Sequence, residues 1–333
     1  MNLNPLTSTL QHAVKKLLVP AVLAFGALGA QAQSALKIGY SDWPGWVAWQ
    51  VAIDKGWFKE AGVDVKFEWF DYSASMDAFA AGKLDAVGMT NGDMLVTGSG
   101  GAKGTVFLVT DYSNGNDMIV AKPGLKSVKD LKGKKVGVEV GLVDHLLIVN
   151  ALKKAGLKDT DVTLVNAKTN ELPQVFGAAD IAAIGVWQPV AGEALKGVPG
   201  SRAIYTSADE PGLIYDVFVT TPASAKARRA DWLKVLKVWD RVVAYVKDPK
   251  TQPDAVKIMA ARSGVSATDY LPLLKGTHLL SLEDGKKVYA KGTGFGSLYG
   301  STKFVNDFNV AQKVYAAPEK IDNYFDPTFY SGK

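Results

Sequence analysis

From Leu36 onward, short apolar runs rich in β-branched and aromatic residues alternate with stretches in which apolar residues recur every three to four positions. The runs at Leu36–Tyr40, Val63–Phe70, Ala86–Thr90 and Thr105–Thr110 predict strands. Val47–Ala61, Ser73–Gly82 and Asp93–Gly98 predict the helices between them. The series then restarts. Lys135–Val140, Val162–Val165, Ala182–Trp187 and Ala203–Thr206 predict strands, with helices at Leu142–Ala155 and Leu172–Ala178. Short apolar strands alternating with helices imply parallel sheets covered on both faces. After about Ala223 the pattern predicts helices alone, over Arg228–Val246, Asp254–Ser263, Ala267–Leu274 and Phe295–Tyr315. The expected fold is α/β with two lobes, each a mostly parallel sheet flanked by helices, and a helical C-terminal segment. Asn116–Lys122 and Leu213–Thr221 are the expected crossovers, punctuated by Pro123-Gly124 and Thr221-Pro222. Lobe 1 is then 33–118 with 219–333, and lobe 2 is 119–218.

Ahead of this series, Lys15 and Lys16 precede an apolar stretch from Leu17 to Ala30, followed by the small-x-small triplet Ala30-Gln31-Ala32. A basic start, a short apolar stretch and a small-residue site predict a secretory signal peptide over 1–32, cleaved after Ala32. The stretch is about 14 residues, short of the roughly 20 that span a bilayer. No later run is long enough to span one, so an exported, soluble, periplasmic protein is expected. Of 333 residues 47% are hydrophobic and none is Cys, which removes disulfides, zinc–thiolate sites and thiol nucleophiles. The net charge of +5 comes from scattered Lys, and the first Arg is Arg202. A nucleic-acid partner is not expected without a clustered basic face.

Several segments in a fixed order resemble the periplasmic solute-binding proteins of ABC importers in the nitrate/sulfonate/taurine group. They are Leu36–Tyr40 (LKIGY), Ala52–Phe58 (AIDKGWF), Ala80–Ala86 (AAGKLDA), Ser127–Val136 (SVKDLKGKKV), Ala151–Leu157 (ALKKAGL) and Gly185–Pro189 (GVWQP). The resemblance implies two lobes closing by a hinge on a small molecule, and docking of a monomer onto ABC permease subunits. It implies no cofactor and no catalysis.

In open α/β sheets ligands sit beyond the carboxyl ends of the strands. The expected ligand-binding residues there are Asp42, Trp43, Trp46, Asn91, Asp93, Asp117, Glu139, Asp144, His145, Trp187 and Asp216. Each also has a structural reading. Trp46 can pack between loop and helix, Asp93 and Asp144 can serve helix starts, Asp42 can bond its own turn, Glu139 can end an exposed strand, and His145 can be structural. Asp216 is harder to place structurally, because it interrupts the apolar run Leu213–Val219.

This set is acidic and aromatic, without Arg or Lys. An oxoanion would use a bidentate Arg, a Lys or free amides at a helix start. Asp144 instead occupies the first turn after the strand at Lys135–Val140. A planar cation suits carboxylates and indole faces, and the combination looks like the subgroup associated with guanidine and related nitrogen compounds. The expected ligand is guanidinium or a small amine or amidine. Taurine, an alkanesulfonate, nitrate or a thiamine-pyrimidine precursor is the alternative. Enzymatic readings lack their parts. The pyrimidine-forming relatives use a cysteine-rich segment, and Gly98-Ser99-Gly100 has Val96 where a nucleophile elbow has Gly. The histidines His12, His145 and His278 have no ligand spacing, and no phosphate-binding loop occurs.

Overall fold

Leu36, Ile38 and Tyr40 are buried in a strand whose two faces are both covered, as the near-continuous apolar run requires. The computed structural model describes residues 34–331. The expected signal peptide lies outside the described residues. Among those described, the strands are β1 (Leu36–Tyr40), β2 (Val65–Trp69), β3 (Ala86–Thr90), β4 (Thr105–Ser113), β5 (Asp117–Ala121), β6 (Lys135–Val138), β7 (Thr163–Asn166), β8 (Ile181–Trp187), β9 (Arg202–Thr206), β10 (Tyr215–Thr220) and β11 (Thr277–Leu279). The helices are α1 (Pro44–Val47), α2 (Trp49–Asp54), α3 (Trp57–Glu60), α4 (Tyr72–Ala80), α5 (Asn91–Ser99), α6 (Val143–Lys154), α7 (Leu172–Gly177), α8 (Val190–Gly197), α9 (Pro222–Ala227), α10 (Arg229–Lys247), α11 (Gln252–Ser263), α12 (Ala267–Lys275), α13 (Leu282–Tyr289) and α14 (Leu298–Ala311). None is long and apolar enough to cross a membrane.

Two sheets result, in the orders β11-β4-β10-β3-β1-β2 and β7-β6-β8-β5-β9. In the first, β1 runs parallel to β2 and β3, while β10 is antiparallel to β3 and β4. In the second, β6 is parallel to β7 and β8, and β5 is antiparallel to β8 and β9. The chain passes between sheets at 114–116 and 207–214. The expected boundaries at 118/119 and 218/219 therefore cut through β5 and β10. The segments expected as extended crossovers, Asn116–Lys122 and Leu213–Thr221, hold the interior strands β5 and β10, whose apolar residues complete both cores. The two passages are tied together: the Ser113 and Ser207 hydroxyls lie 2.6 Å apart, and the Gly115 N–H donates to Ser207 Oγ at 2.7 Å.

Other expectations are corrected too. The helix expected over Val47–Ala61 is three short pieces, broken where Gly56 takes φ +70° between α2 and α3. The helix expected from Phe295 starts at Leu298, after a turn through Gly294 at φ +72°. Strands do not stop at Ala223. Thr277–Leu279 adds an edge strand to β4, but three residues are too few to show alternation. The α8, α9 and α13 helices were not expected.

The core of the first sheet centres on Trp49, Trp232 and Trp239, with the Trp49 and Trp239 rings 4.8 Å apart. A separate cluster around Leu172, Phe176 and Ile184 fills one face of the second sheet. The C-terminal segment returns to the first sheet. Phe325 bridges Val106, and Tyr330 Oη accepts the Val109 N–H at 2.8 Å.

Candidate functional site

Strand register brings the acidic residues to one place. Asp216, the second residue of β10, lies opposite Thr90, the last residue of β3, and opposite Asp111 near the end of β4. Asp117 starts β5 and lies opposite Trp187, the last residue of β8. The β10–β4 pairing shifts between Asp216 and Val217, leaving Thr110 unopposed. Such a bulge re-aims the side chain beside it. The loops after β1, β3 and β6 carry Asp42 and Trp43, Asp93, and Asp144 to the same ends.

The carboxylates there are buried without bases. Asp93, Asp111, Asp117, Asp144 and Asp216 are each no more than 2% exposed. Two are anchored on one oxygen by aromatic donors. Trp43 Nε1 donates to Asp111 Oδ1 at 2.9 Å, and Tyr72 Oη donates to Asp93 Oδ2 at 2.6 Å. Five oxygens have no partner: Asp111 Oδ2, Asp117 Oδ2, both of Asp144, and Asp216 Oδ2. A bare carboxylate out of water is costly, so its neutral form is favoured. Burial accordingly pushes Asp111 up to about 6, and Asp93 and Asp117 up to about 7. Asp144 and Asp216 stand well above the usual carboxylate range, first through burial and then through neighbouring carboxylates. Among the described residues no three acidic or histidine groups converge as a metal site would need.

Aromatic rings wall the space between the sheets. The Trp46 and Tyr72 rings lie 5.4 Å apart and tilted by 32°, and Tyr72 meets Trp187 edge-on at 5.2 Å. With Trp43, Thr90, Asp117, Val143, Ile214 and Asp216 they enclose a chamber of about 10 Å³. By that measure the space suits about one water, so an occupant is small or enters as the walls part. Outside lies a groove of about 210 Å³ sharing Tyr72 and Trp187 with the chamber. Asp42, Asp71, Glu139 and Glu193 line it, with Lys168 at its exposed edge. Trp187 Nε1 donates to Asp42 Oδ1 at 3.4 Å across the sheets, and burial pushes Asp42 up to about 6.

Local sequence explains the placements. Pro44 holds Trp43 extended, at ψ 127°, as it opens α1. Gly45 lets the backbone pass against Asp111, where a Cβ would strike the carboxyl. Thr90 rather than Asp93 caps α5, its Oγ1 accepting the Asp93 N–H at 3.1 Å. The Asp93 carboxyl is thereby left to face Tyr72. Asp144 sits in the first turn of α6, yet neither of its oxygens takes a capping bond.

Of the expected residues, Trp43, Trp46, Asp117, Trp187 and Asp216 line the chamber, while Asp42, Asn91, Asp93, Glu139, Asp144 and His145 do not. Asn91 donates to Ser301 and Thr302 on α14 and accepts the Tyr215 N–H. His145 Nδ1 accepts the Gly141 N–H, and its ring meets Phe308 edge-on at 5.5 Å. Glu139 Oε2 accepts from the Thr169 N–H and hydroxyl at the groove. Asp111, Tyr72, Val143 and Ile214 were missed. For Asp111 the signal was an acid directly after the apolar run Thr105–Thr110.

A larger groove of about 820 Å³ lies elsewhere, along β2 with Phe58, Phe67 and Tyr40. Of its cations Lys59, Lys66 and Arg262, the last is already engaged. Its Nε donates to Tyr40 Oη at 3.0 Å, and the guanidinium stacks 4.1 Å from the Trp69 ring.

A sequence profile of the family described as "NMT1/THI5 like" matches residues 43–252. Brucella abortus (strain 2308) has a protein, named only as a candidate binding protein, that is 31% identical over 176 residues. The match takes in 52% of this chain and 54% of the relative, so the chain spans about half the length of that relative. The "taurine-binding periplasmic protein" of Escherichia coli (strain K12) is 27% identical over 276 residues, 78% of this chain and 82% of that one. Among solved structures, the alkanesulfonate-binding protein of Xanthomonas axonopodis pv. citri bound to MOPS superposes with a TM-score of 0.72 at 17% identity. It covers 88% of this chain and 98% of that one.

Proposed function

The chain belongs to the NMT1/THI5-like family and has the periplasmic-binding-protein fold, and from that premise we propose that it captures a small cation, guanidinium or a close amine or amidine, between its two lobes. The single observation carrying this reading is the set of five unpartnered carboxylate oxygens in a region with no Lys or Arg among the chamber-lining residues. A guanidinium offers N–H donors around a plane, each able to form a charge-assisted bond. Indole faces attract it further, by about 2 kcal/mol where water is excluded. An ammonium brings three donors to the five open acceptors. The small chamber favours an unsubstituted ion.

Capture would proceed by movement about 114–116 and 207–214. Asp117, Asp144 and Trp187 would close on Asp216, Trp43 and Trp46, and Trp187–Asp42 would latch the groove. The protein would act after export, handing its ligand to an ABC permease. No bond is made or broken, so it is a carrier rather than an enzyme.

A second reading, capture of taurine or another sulfonate, is favoured by the names of the relatives. Neutral Asp144 and Asp216 carboxyls, together with the unpartnered Trp46 N–H, could donate to an oxoanion. A melting-shift panel at pH 8 with guanidinium, methylamine, urea, taurine and nitrate separates the two. Stabilisation growing with the logarithm of guanidinium alone is expected. Stabilisation by taurine or nitrate alone would establish the second reading. Native mass spectrometry of the purified protein would identify any co-purified ion.

A further inference from the structure

We propose that capture of the cation expels one proton from a carboxyl pair, Asp111 and Asp216, at the chamber floor. The proposal rests on the cation reading above and adds a stoichiometry to it. The two residues face each other across β4 and β10, and each is buried with an unpartnered Oδ2. Asp111 cannot swing away, because Trp43 Nε1 holds Oδ1 and the Gly45 backbone is packed against the carboxyl. Two carboxylates at such close quarters do not both ionise without a counter-charge.

Among the described residues none supplies a counter-charge to the pair. The titratable groups around the pair are Asp42 from the β1–α1 loop, Tyr72 from α4, Asp93 from α5, Asp117 from β5, Asp144 from α6, and Tyr270 from α12. All are acids or phenols. His145, next to Asp144 in the chain, is turned to Phe308 and Gly141. The empty pair therefore keeps one shared proton, held on Asp216 toward Asp111, and carries one negative charge. Asp216 is the member that lines the chamber. When a guanidinium sits against it, the O–H bond of Asp216 breaks, the proton passes to bulk water, and a charge-assisted bond to the cation replaces it. The pair goes from one negative charge to two while one positive charge enters, so the net charge of the floor is unchanged.

Titration calorimetry of guanidinium chloride into the wild-type protein tests this, at pH 5.5, 6.5, 7.5 and 8.5, and at pH 7 in both phosphate and Tris. Affinity should rise with pH by up to about tenfold per unit and flatten at the alkaline end, the slope expected for one released proton. The apparent enthalpy should differ between the two buffers by about one proton's ionisation heat. Asp111→Asn keeps an acceptor for Trp43 and removes the carboxylate facing Asp216, so Asp216 should release its proton at lower pH and the pH at which affinity flattens should fall. Guanidinium binding with flat affinity and equal enthalpy in both buffers overturns proton release and leaves the cation reading intact. No guanidinium heat at any pH overturns the cation reading itself. If Asp111→Asn does not fold, the wild-type buffer pair still decides.

Discussion

The same chain treats its carboxylates in two ways. In the C-terminal segment each acid meets a base: Arg229 lies 2.7 Å from Asp326, Lys291 2.6 Å from Asp322 and Lys103 3.0 Å from Glu319. Burial pushes Asp326 up, but Thr328 and Arg229 outweigh it and hold the carboxyl below its ordinary value. In the chamber, five more deeply buried acids meet none, and all are pushed up. The fold can thus neutralise a carboxylate where it serves structure. Leaving five without a base at one spot, four of them with an unpartnered oxygen, costs stability and makes sense where a cation arrives from outside.

The largest effect should come from removing a bare acid. Asp144→Asn should weaken guanidinium binding by about 10- to 150-fold, since a charge-assisted hydrogen bond contributes about 1.5–3 kcal/mol. A variant that binds normally would remove Asp144 from the site. Next in size is the Trp43–Asp111 bond. Trp43→Ala should weaken binding by about tenfold or more, loosening Asp111 and deleting an indole wall, as a melting-shift titration would read.

The third effect concerns pH. Acids raised in the folded state add stability fully present below their unfolded value and lost as pH rises through the folded one. Burial raises Asp93 and Asp117 to about 7, so the ligand-free protein should melt higher at pH 5.5 than at pH 8. Asp326, held low, contributes above its unfolded value and loses that contribution only as pH falls further, through its depressed folded value. Melting curves at pH 5.5 and 8 check the sign, and a higher melting point at pH 8 would contradict it. The smallest effect should come from the larger groove along β2. Arg262→Ala should leave guanidinium affinity unchanged, and the lost stacking on Trp69 should cost about 1 kcal/mol or less.

Much of this was legible in the sequence. The periodicity placed β1, β3, β8 and the long helices within a few residues, because buried parallel strands and amphipathic helices have distinct periods. Asp216 was recognisable because a lone charge in an apolar run demands a partner. Asp111 was not, since β4 runs on beyond the apolar stretch and a bulge at Thr110 turns it inward. Tyr72 resembled an ordinary helix start until Asp93 was found under its hydroxyl. Asn91 and His145 looked suitable from position alone, but contacts with α14, more than 150 residues away, occupy them. Register between distant strands and the packing of a C-terminal segment depend on long-range contacts that no local window contains.

The central claim is that the protein leaves a negative chamber for a positive guest. Calorimetric titration of guanidinium and of taurine into one preparation at pH 8 addresses it most directly. Saturable heat with guanidinium and none with taurine is the expected result. Tight taurine binding beside a silent guanidinium titration would contradict it.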